Sequence, residues 1–138
     1  LIRHPLNNAE REESLVLSKH ILVVDDEPAY LRTMSQILKG KGYDVREALS
    51  GNEALKTLQK FEPDLILLDV RMPDMNGFDL LDRIKQLPHL ASKPVIFVSG
   101  MDDFHARKVA KDLGAVDYLL KPLDEREVNS VVEKYLHD

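Results

Sequence analysis

From His20 onward the chain alternates between two hydrophobic patterns. Short continuous apolar runs fall at Ile21–Val24, Leu65–Leu68, Val95–Val98 and Tyr118–Leu120, each bounded by charge or a turn residue. Runs of this length predict strands buried on both faces, as in a parallel sheet. A further segment, Tyr43–Ala48, alternates instead and predicts an edge strand with one polar face. Between these runs, apolar residues recur at helical spacing: Leu31, Met34, Ile37 and Leu38; Ala54, Leu58 and Phe61; Leu80, Ile84 and Leu87; Ala106, Val109, Ala110 and Leu113; Val128, Val131, Val132 and Tyr135. The boundaries are well marked. Ser50 with Glu53 and Asp124 with Glu127 have capping-box spacing, Gly40 and Gly114 stand where helix C-caps belong, and Pro28 suits a first helical turn. Five strand–helix alternations imply right-handed crossovers and an α/β fold, a doubly wound parallel sheet with helices on both faces.

Length limits this pattern to one unit, because dividing 138 residues would leave two cores too small to stabilise themselves. Residues 1–18 stand outside the alternation as an N-terminal extension or linker, with Ala9–Leu17 able to form one or two helical turns; the domain is expected over 19–138. The chain starts at Leu1 without Met, which reads as a fragment or a processed chain. A balance of 19 Lys and Arg against 24 Asp and Glu, net −5, argues against direct nucleic-acid binding. No apolar run approaches the ~18 residues of a membrane span, and no signal peptide is recognisable. The absence of cysteine excludes disulfides, thiolate metal sites and cysteine nucleophiles, and fits a cytoplasmic location.

In an open α/β sheet, ligands bind beyond the carboxyl ends of the strands. The residues there are Asp25, Asp26 and Glu27 after the first strand, Asp69 after the third, Ser99 and Gly100 after the fourth, and Lys121 and Pro122 after the fifth. Carboxylates converging on one crevice repel unless a positive charge sits among them. An all-oxygen donor set favours a hard divalent cation, Mg²⁺ before Zn²⁺. A lysine and a hydroxyl opposite the metal could hold the oxygens of a transferring phosphoryl group, and a carboxylate within that ring could be its acceptor.

These residues carry a resemblance. Val23-Val24-Asp25-Asp26-Glu27-Pro28, Leu67-Leu68-Asp69-Val70-Arg71-Met72-Pro73-Asp74-Met75-Asn76-Gly77, Ser99-Gly100 and Leu120-Lys121-Pro122 resemble the receiver domain of two-component response regulators, in order and approximate spacing from about Lys19 to the C-terminus. The resemblance implies a CheY-like, flavodoxin-like sheet of five strands in the order 2-1-3-4-5. It makes Asp69 the phosphoacceptor and Asp25 and Asp26 the holders of Mg²⁺, joined by Asp69 and the backbone carbonyl of Arg71. Ser99 becomes the switch hydroxyl, Tyr118 the switch aromatic, and Lys121 the partner of a phosphoryl oxygen, aimed by a cis Lys121–Pro122 peptide. Arg71 and Met101 fall at positions that tune phosphoryl lifetime. The implied donor is a histidine kinase or phosphotransfer protein. The implied output surface is the fourth helix, fifth strand and fifth helix, roughly residues 102–136, which is also a candidate homodimer face; an effector domain or partner protein would lie outside this chain.

Plainer readings exist beside these. Asp25 and Asp26 could cap the first helix, Ser99 could be a turn hydroxyl, Lys121 a solvated strand-end lysine, and Tyr118 a core tyrosine. The five histidines, at 4, 20, 89, 105 and 137, show no ligand spacing and read as structural or surface residues. A phosphohydrolase with an aspartyl nucleophile would want a second acid two residues on, where Arg71 stands, and a phosphorylation-independent module would not need the full residue set. The expectation is a signalling switch rather than a turnover enzyme.

Overall fold

The computed structural model describes residues 5, 7, 8, 18–100 and 104–136. The expectations for Ala9–Leu17 and Met101 therefore lie outside the described residues. Strands and helices alternate: β1 (His20–Val24), α1 (Pro28–Gly40), β2 (Asp44–Ala48), α2 (Gly51–Thr57), β3 (Leu65–Leu68), α3 (Gly77–Lys85), β4 (Val95–Ser99), α4 (Phe104–Asp112), β5 (Asp117–Leu120) and α5 (Glu125–Leu136). All pairings are parallel and the sheet order is β2-β1-β3-β4-β5, as the resemblance implied.

Strand side chains alternate between two cores. Ile21, Val23, Leu65, Leu67, Ile96 and Val98 pack with Leu31, Met34 and Leu38 of α1 and Val128 and Val132 of α5. Leu22, Val24, Ile66, Leu68, Val95 and Phe97 pack on the other face with Ala54 of α2, Leu80 and Ile84 of α3, and Ala106 and Ala110 of α4. The helical stripes read from the sequence are the faces buried here. Burying this much apolar surface on both sides is what a run such as Leu65–Leu68, buried throughout, is for.

Two strands depart from expectation. Tyr118-Leu119-Leu120 reads as a strand buried on both faces, yet β5 is an edge strand in which only Tyr118 is fully buried, because no further strand covers it. On β2, Val45 joins one core and Ala48 the other, so this edge carries an apolar residue on each face instead of one wholly polar face. Among the caps, Ser50 Oγ accepts from Glu53 N at 3.1 Å and Asp124 Oδ1 from Glu127 N at 2.8 Å. Gly114 has φ +97° and its N–H donates to Lys111 O, closing α4 as expected. In α1 the helix continues through Gly40, and the left-handed residue is Gly42 at φ +94°. Its N–H bonds to Lys39 O while that of Tyr43 bonds to Leu38 O, a Schellman closure two residues later than expected.

Gly77 opens α3 directly behind the end of β3. Its N–H donates to Val70 O at 2.7 Å, and a Cβ there would collide with the Asp69 carbonyl oxygen and come within 2.9 Å of the Phe97 ring. Both obstacles are fixed, one being backbone and the other a fully buried ring, so only glycine lets α3 approach. Gly77→Ala is expected to destabilise the domain by about 2 kcal/mol through overpacking, read as a lower urea midpoint; an unchanged midpoint would show that the loop yields freely.

Candidate functional site

The parallel order places four strand ends along one edge of the sheet, where β1 and β3 lie side by side and their connections leave toward opposite faces. Asp26, Glu27, Asp69, Arg71, Ser99, Gly100 and Lys121 line one open cavity of about 410 Å³ at that edge. Asp25, only 1% exposed, is joined to it through Lys121. Ser99 is buried at the end of β4, at 2% exposure, and Asp69 is 7% exposed. The Lys121–Pro122 peptide is cis.

Charge organises the cavity. The Lys121 ammonium donates to Asp25 Oδ2 at 2.5 Å and lies 3.7 Å from Asp69 Oδ2. Asp25 Oδ1 accepts from Glu27 N at 2.9 Å, so one carboxylate both fixes the start of α1 and anchors the lysine. Neither Asp25 nor Asp26 is the helix cap, however: the N-cap residue of α1 is Glu27, no side chain caps that helix, and the Asp25 bond closes a turn ahead of it. Carboxylate oxygens of Asp25, Asp26 and Glu27 lie within 4.8 Å of one another. Asp69 stands off from that trio, against the lysine. Burial, followed by the charge of Asp25, pushes the Asp69 carboxyl up to about 6, although Lys121 pulls the other way. Burial alone would lower the Lys121 ammonium, but the hydrogen bond with Asp25 and the charge of Asp69 outweigh it and raise its pKa. One ammonium therefore serves more carboxylates than it can neutralise. An all-oxygen donor set with an excess of negative charge fits a hard divalent cation such as Mg²⁺.

The loop after Asp69 is clasped from the side. Asp74 accepts from Gly51 N at 3.1 Å and Asn52 N at 2.7 Å, tying the β3–α3 connection to the start of α2. The Asn52 bond leads the contacts that hold the Asp74 carboxyl below its ordinary range. Tyr118 does not line the cavity. It is buried on the α4 face of β5, with its ring 6.2 Å from that of Phe97 and the Arg107 guanidinium 5.0 Å above it. Of the histidines, His20 is structural: its Nδ1 lies 2.9 Å from Asp44 Oδ2 and its ring meets Phe61 edge-on. His89 and His105 are exposed, and His4 and His137 lie outside the described residues.

Sequence reasoning missed Tyr30. It falls between the strand-end acids and the helical stripe, and nothing in its spacing marks it; yet its ring lies 4.3 Å from the Lys121 ammonium.

The model of the response regulator receiver domain family matches residues 21–133. The chain belongs to that family. Receiver-containing relatives include the alkaline phosphatase synthesis transcriptional regulatory protein PhoP of Bacillus subtilis, 37% identical over 87% of this chain and 49% of the relative. Sporulation initiation phosphotransferase F of the same organism is 31% identical, over 88% of this chain and 96% of that protein. Among solved structures, the chemotaxis protein CheY4 of Vibrio cholerae superimposes with a TM-score of 0.83 at 28% identity, covering 86% of this chain and 99% of that one. A CheY-like receiver domain from Methanospirillum hungatei gives 0.80 at 31% identity, covering 85% and 92%. The chain spans 26 to 57% of the length of three of the matched relatives. Among the described residues, no helix of this receiver domain is long and apolar enough to cross a membrane.

A pH dependence follows from Asp69. Its folded pKa of about 6 exceeds the ordinary carboxyl value of 3.8, so the folded state binds more protons than the unfolded chain between these values, and stability falls as pH rises through that window. In metal-free receiver, Asp69→Asn is expected to remove this slope and raise stability at pH 7.5 by up to about 3 kcal/mol, with a much smaller difference at pH 4. Equal effects of the substitution at both pH values, in urea melts with chelator, would contradict the assignment.

Proposed function

We propose that this receiver domain is a phosphorylation-dependent signalling switch of a two-component system, with Asp69 as phosphoacceptor. The observation that carries the reading is the placement of a nearly buried carboxylate, Asp69, 3.7 Å from a lysine already held by a second buried carboxylate, in a cavity also lined by Ser99. In the transfer, an Asp69 carboxylate oxygen attacks the phosphorus of a phosphohistidine on a histidine kinase or phosphotransfer protein. The new P–O bond forms as the P–N bond breaks, and the partner's imidazole is the leaving group. Lys121 turns from the carboxylates toward a phosphoryl oxygen, and Ser99 donates its hydroxyl to another. Asp25, Asp26 and Asp69, with the backbone carbonyl of Arg71, would hold Mg²⁺, which supplies neutralisation of the acids and of the phosphoryl oxygens. The name of sporulation initiation phosphotransferase F, which the chain matches over almost its full length, supports a phosphoryl-handling role.

Loss of the phosphoryl group by attack of water returns the domain to its starting state, so the chemistry is self-directed and not turnover of a separate substrate. Occupation of the site shifts the population of the Ser99 and Tyr118 arrangement, and with it the surface of α4, β5 and α5. Residues 102–136 frame that surface, of which 104–136 are described; Phe104 and Val116 are its exposed apolar residues. It is where a partner protein, an effector domain or a second copy of the chain would read the state. Residues 19–138 act as the receiver unit, 1–18 as an extension, in the cytoplasm and without direct contact to nucleic acid.

Incubation with acetyl phosphate and Mg²⁺ is expected to add one phosphoryl group by intact mass, and Asp69→Asn to abolish the gain. Mg²⁺ alone is expected to raise the melting temperature, since it binds the folded site. Absence of a mass gain in the wild-type protein, or persistence of the gain in Asp69→Asn, would overturn the reading.

A further inference from the structure

The contact between Tyr30 and Lys121 is not accounted for by the transfer chemistry. Tyr30 is the third residue of α1, and its ring centroid lies 4.3 Å from Lys121 Nζ. The same ammonium lies 2.5 Å from Asp25 Oδ2 and 3.7 Å from Asp69 Oδ2. Carboxylates thus bound it on one side and an aromatic face on another, and the lysine side chain is only 18% exposed. The Tyr30 hydroxyl is buried and makes no hydrogen bond among the described residues, so the ring and not the hydroxyl makes the useful contact. Burial, reinforced by the charges of Asp25, Asp69 and Glu27, pushes the phenol well above its ordinary value and keeps it neutral.

We propose that Tyr30 is a positioning residue for Lys121: its ring forms an aromatic platform that keeps the ammonium over the acceptor pocket when the lysine leaves Asp25 for a phosphoryl oxygen. An ammonium held only by Asp25 would be free, once that bond breaks, to swing into water, because a lysine stem has four rotatable bonds and its head is strongly hydrated. A ring face within 6 Å attracts the cation without a directional bond and is compatible with more than one head position. Asp25 therefore fixes where the lysine waits, while Tyr30 limits where it can go. The platform comes from α1 and the lysine from the end of β5, so the contact joins the first helix to the end of the last strand across the site. A tyrosine at this position differs from an ordinary core aromatic because its ring touches a functional cation and its hydroxyl gains nothing from the protein.

This inference rests on the phosphoacceptor reading, but its first readout does not depend on it. In the NMR spectrum of the unphosphorylated protein, the ε-methylene protons of Lys121 are expected to be shifted upfield by the Tyr30 ring current. The shift should persist in Tyr30→Phe and disappear in Tyr30→Leu. With acetyl phosphate and saturating Mg²⁺, Tyr30→Leu is expected to slow phosphorylation several-fold, on the order of fivefold from the loss of one partly desolvated cation–π contact. Tyr30→Phe should retain the wild-type rate, and Tyr30→Leu should cost nothing further in a Lys121→Ala background. Wild-type Lys121 protons without the upfield shift would overturn the proposal even if Tyr30→Leu failed to fold. So would a Tyr30→Leu protein that phosphorylates at the wild-type rate, or one whose defect is unchanged when Lys121 is absent. A wild-type protein that takes no phosphoryl group would instead remove the functional reading, leaving the ring-current shift to decide the placement of Lys121.

Discussion

The ion pair of Lys121 with Asp25 is the constraint around which the site is built. A carboxylate at 1% exposure is expensive to keep charged unless something compensates it. Here compensation comes from a lysine delivered from the far end of the chain, 96 residues away in sequence, and from the Glu27 backbone N–H. Each partner holds the other: Asp25 positions the ammonium, and the ammonium lets Asp25 stay buried at the end of β1. Asp69 then shares the same cation at longer range and less completely. An incompletely neutralised carboxylate leaves a negative charge outstanding at the cavity, which is what the proposed cation and phosphoryl group would satisfy.

The sheet topology makes this pair affordable to assemble. Parallel strands send all their carboxyl ends to one edge, so residues that follow β1, β3, β4 and β5 meet without any special loop design. The two cores on either side of the sheet hold the strands rigid, and only short connections carry the chemistry. Gly77 extends this logic to the backbone, since α3 can press against the carbonyl of Asp69 itself only where no side chain intervenes.

Much of this was legible in the chain. Apolar runs fixed four strands because burial on both faces leaves no room for polar residues, and the strand-end acids, hydroxyl and lysine stood out because each interrupts such a run. The less legible parts have physical reasons. Tyr118-Leu119-Leu120 is as apolar as a central strand, but its position at the edge depends on sheet order, which local pattern does not encode. Gly40 and Gly42 both offer a left-handed turn, and the choice between them depends on how far α1 must run for Leu38 to be buried against the sheet. Tyr30 was invisible because an aromatic residue in the first turn of a helix has no spacing relation to a lysine 91 positions later; only the fold brings them together.

The clasp of Asp74 on the start of α2 gives the domain a direction. The β3–α3 connection is tied at Gly51 and Asn52, which braces the loop that follows Asp69 against the start of α2. The opposite flank is built differently: β5 is half-covered, and Tyr118 meets α4 both through the Arg107 guanidinium over its ring and through the core it shares with Ala106 and Ala110. The molecule thus has one flank tied by side-chain hydrogen bonds and another that ends in a half-covered edge strand.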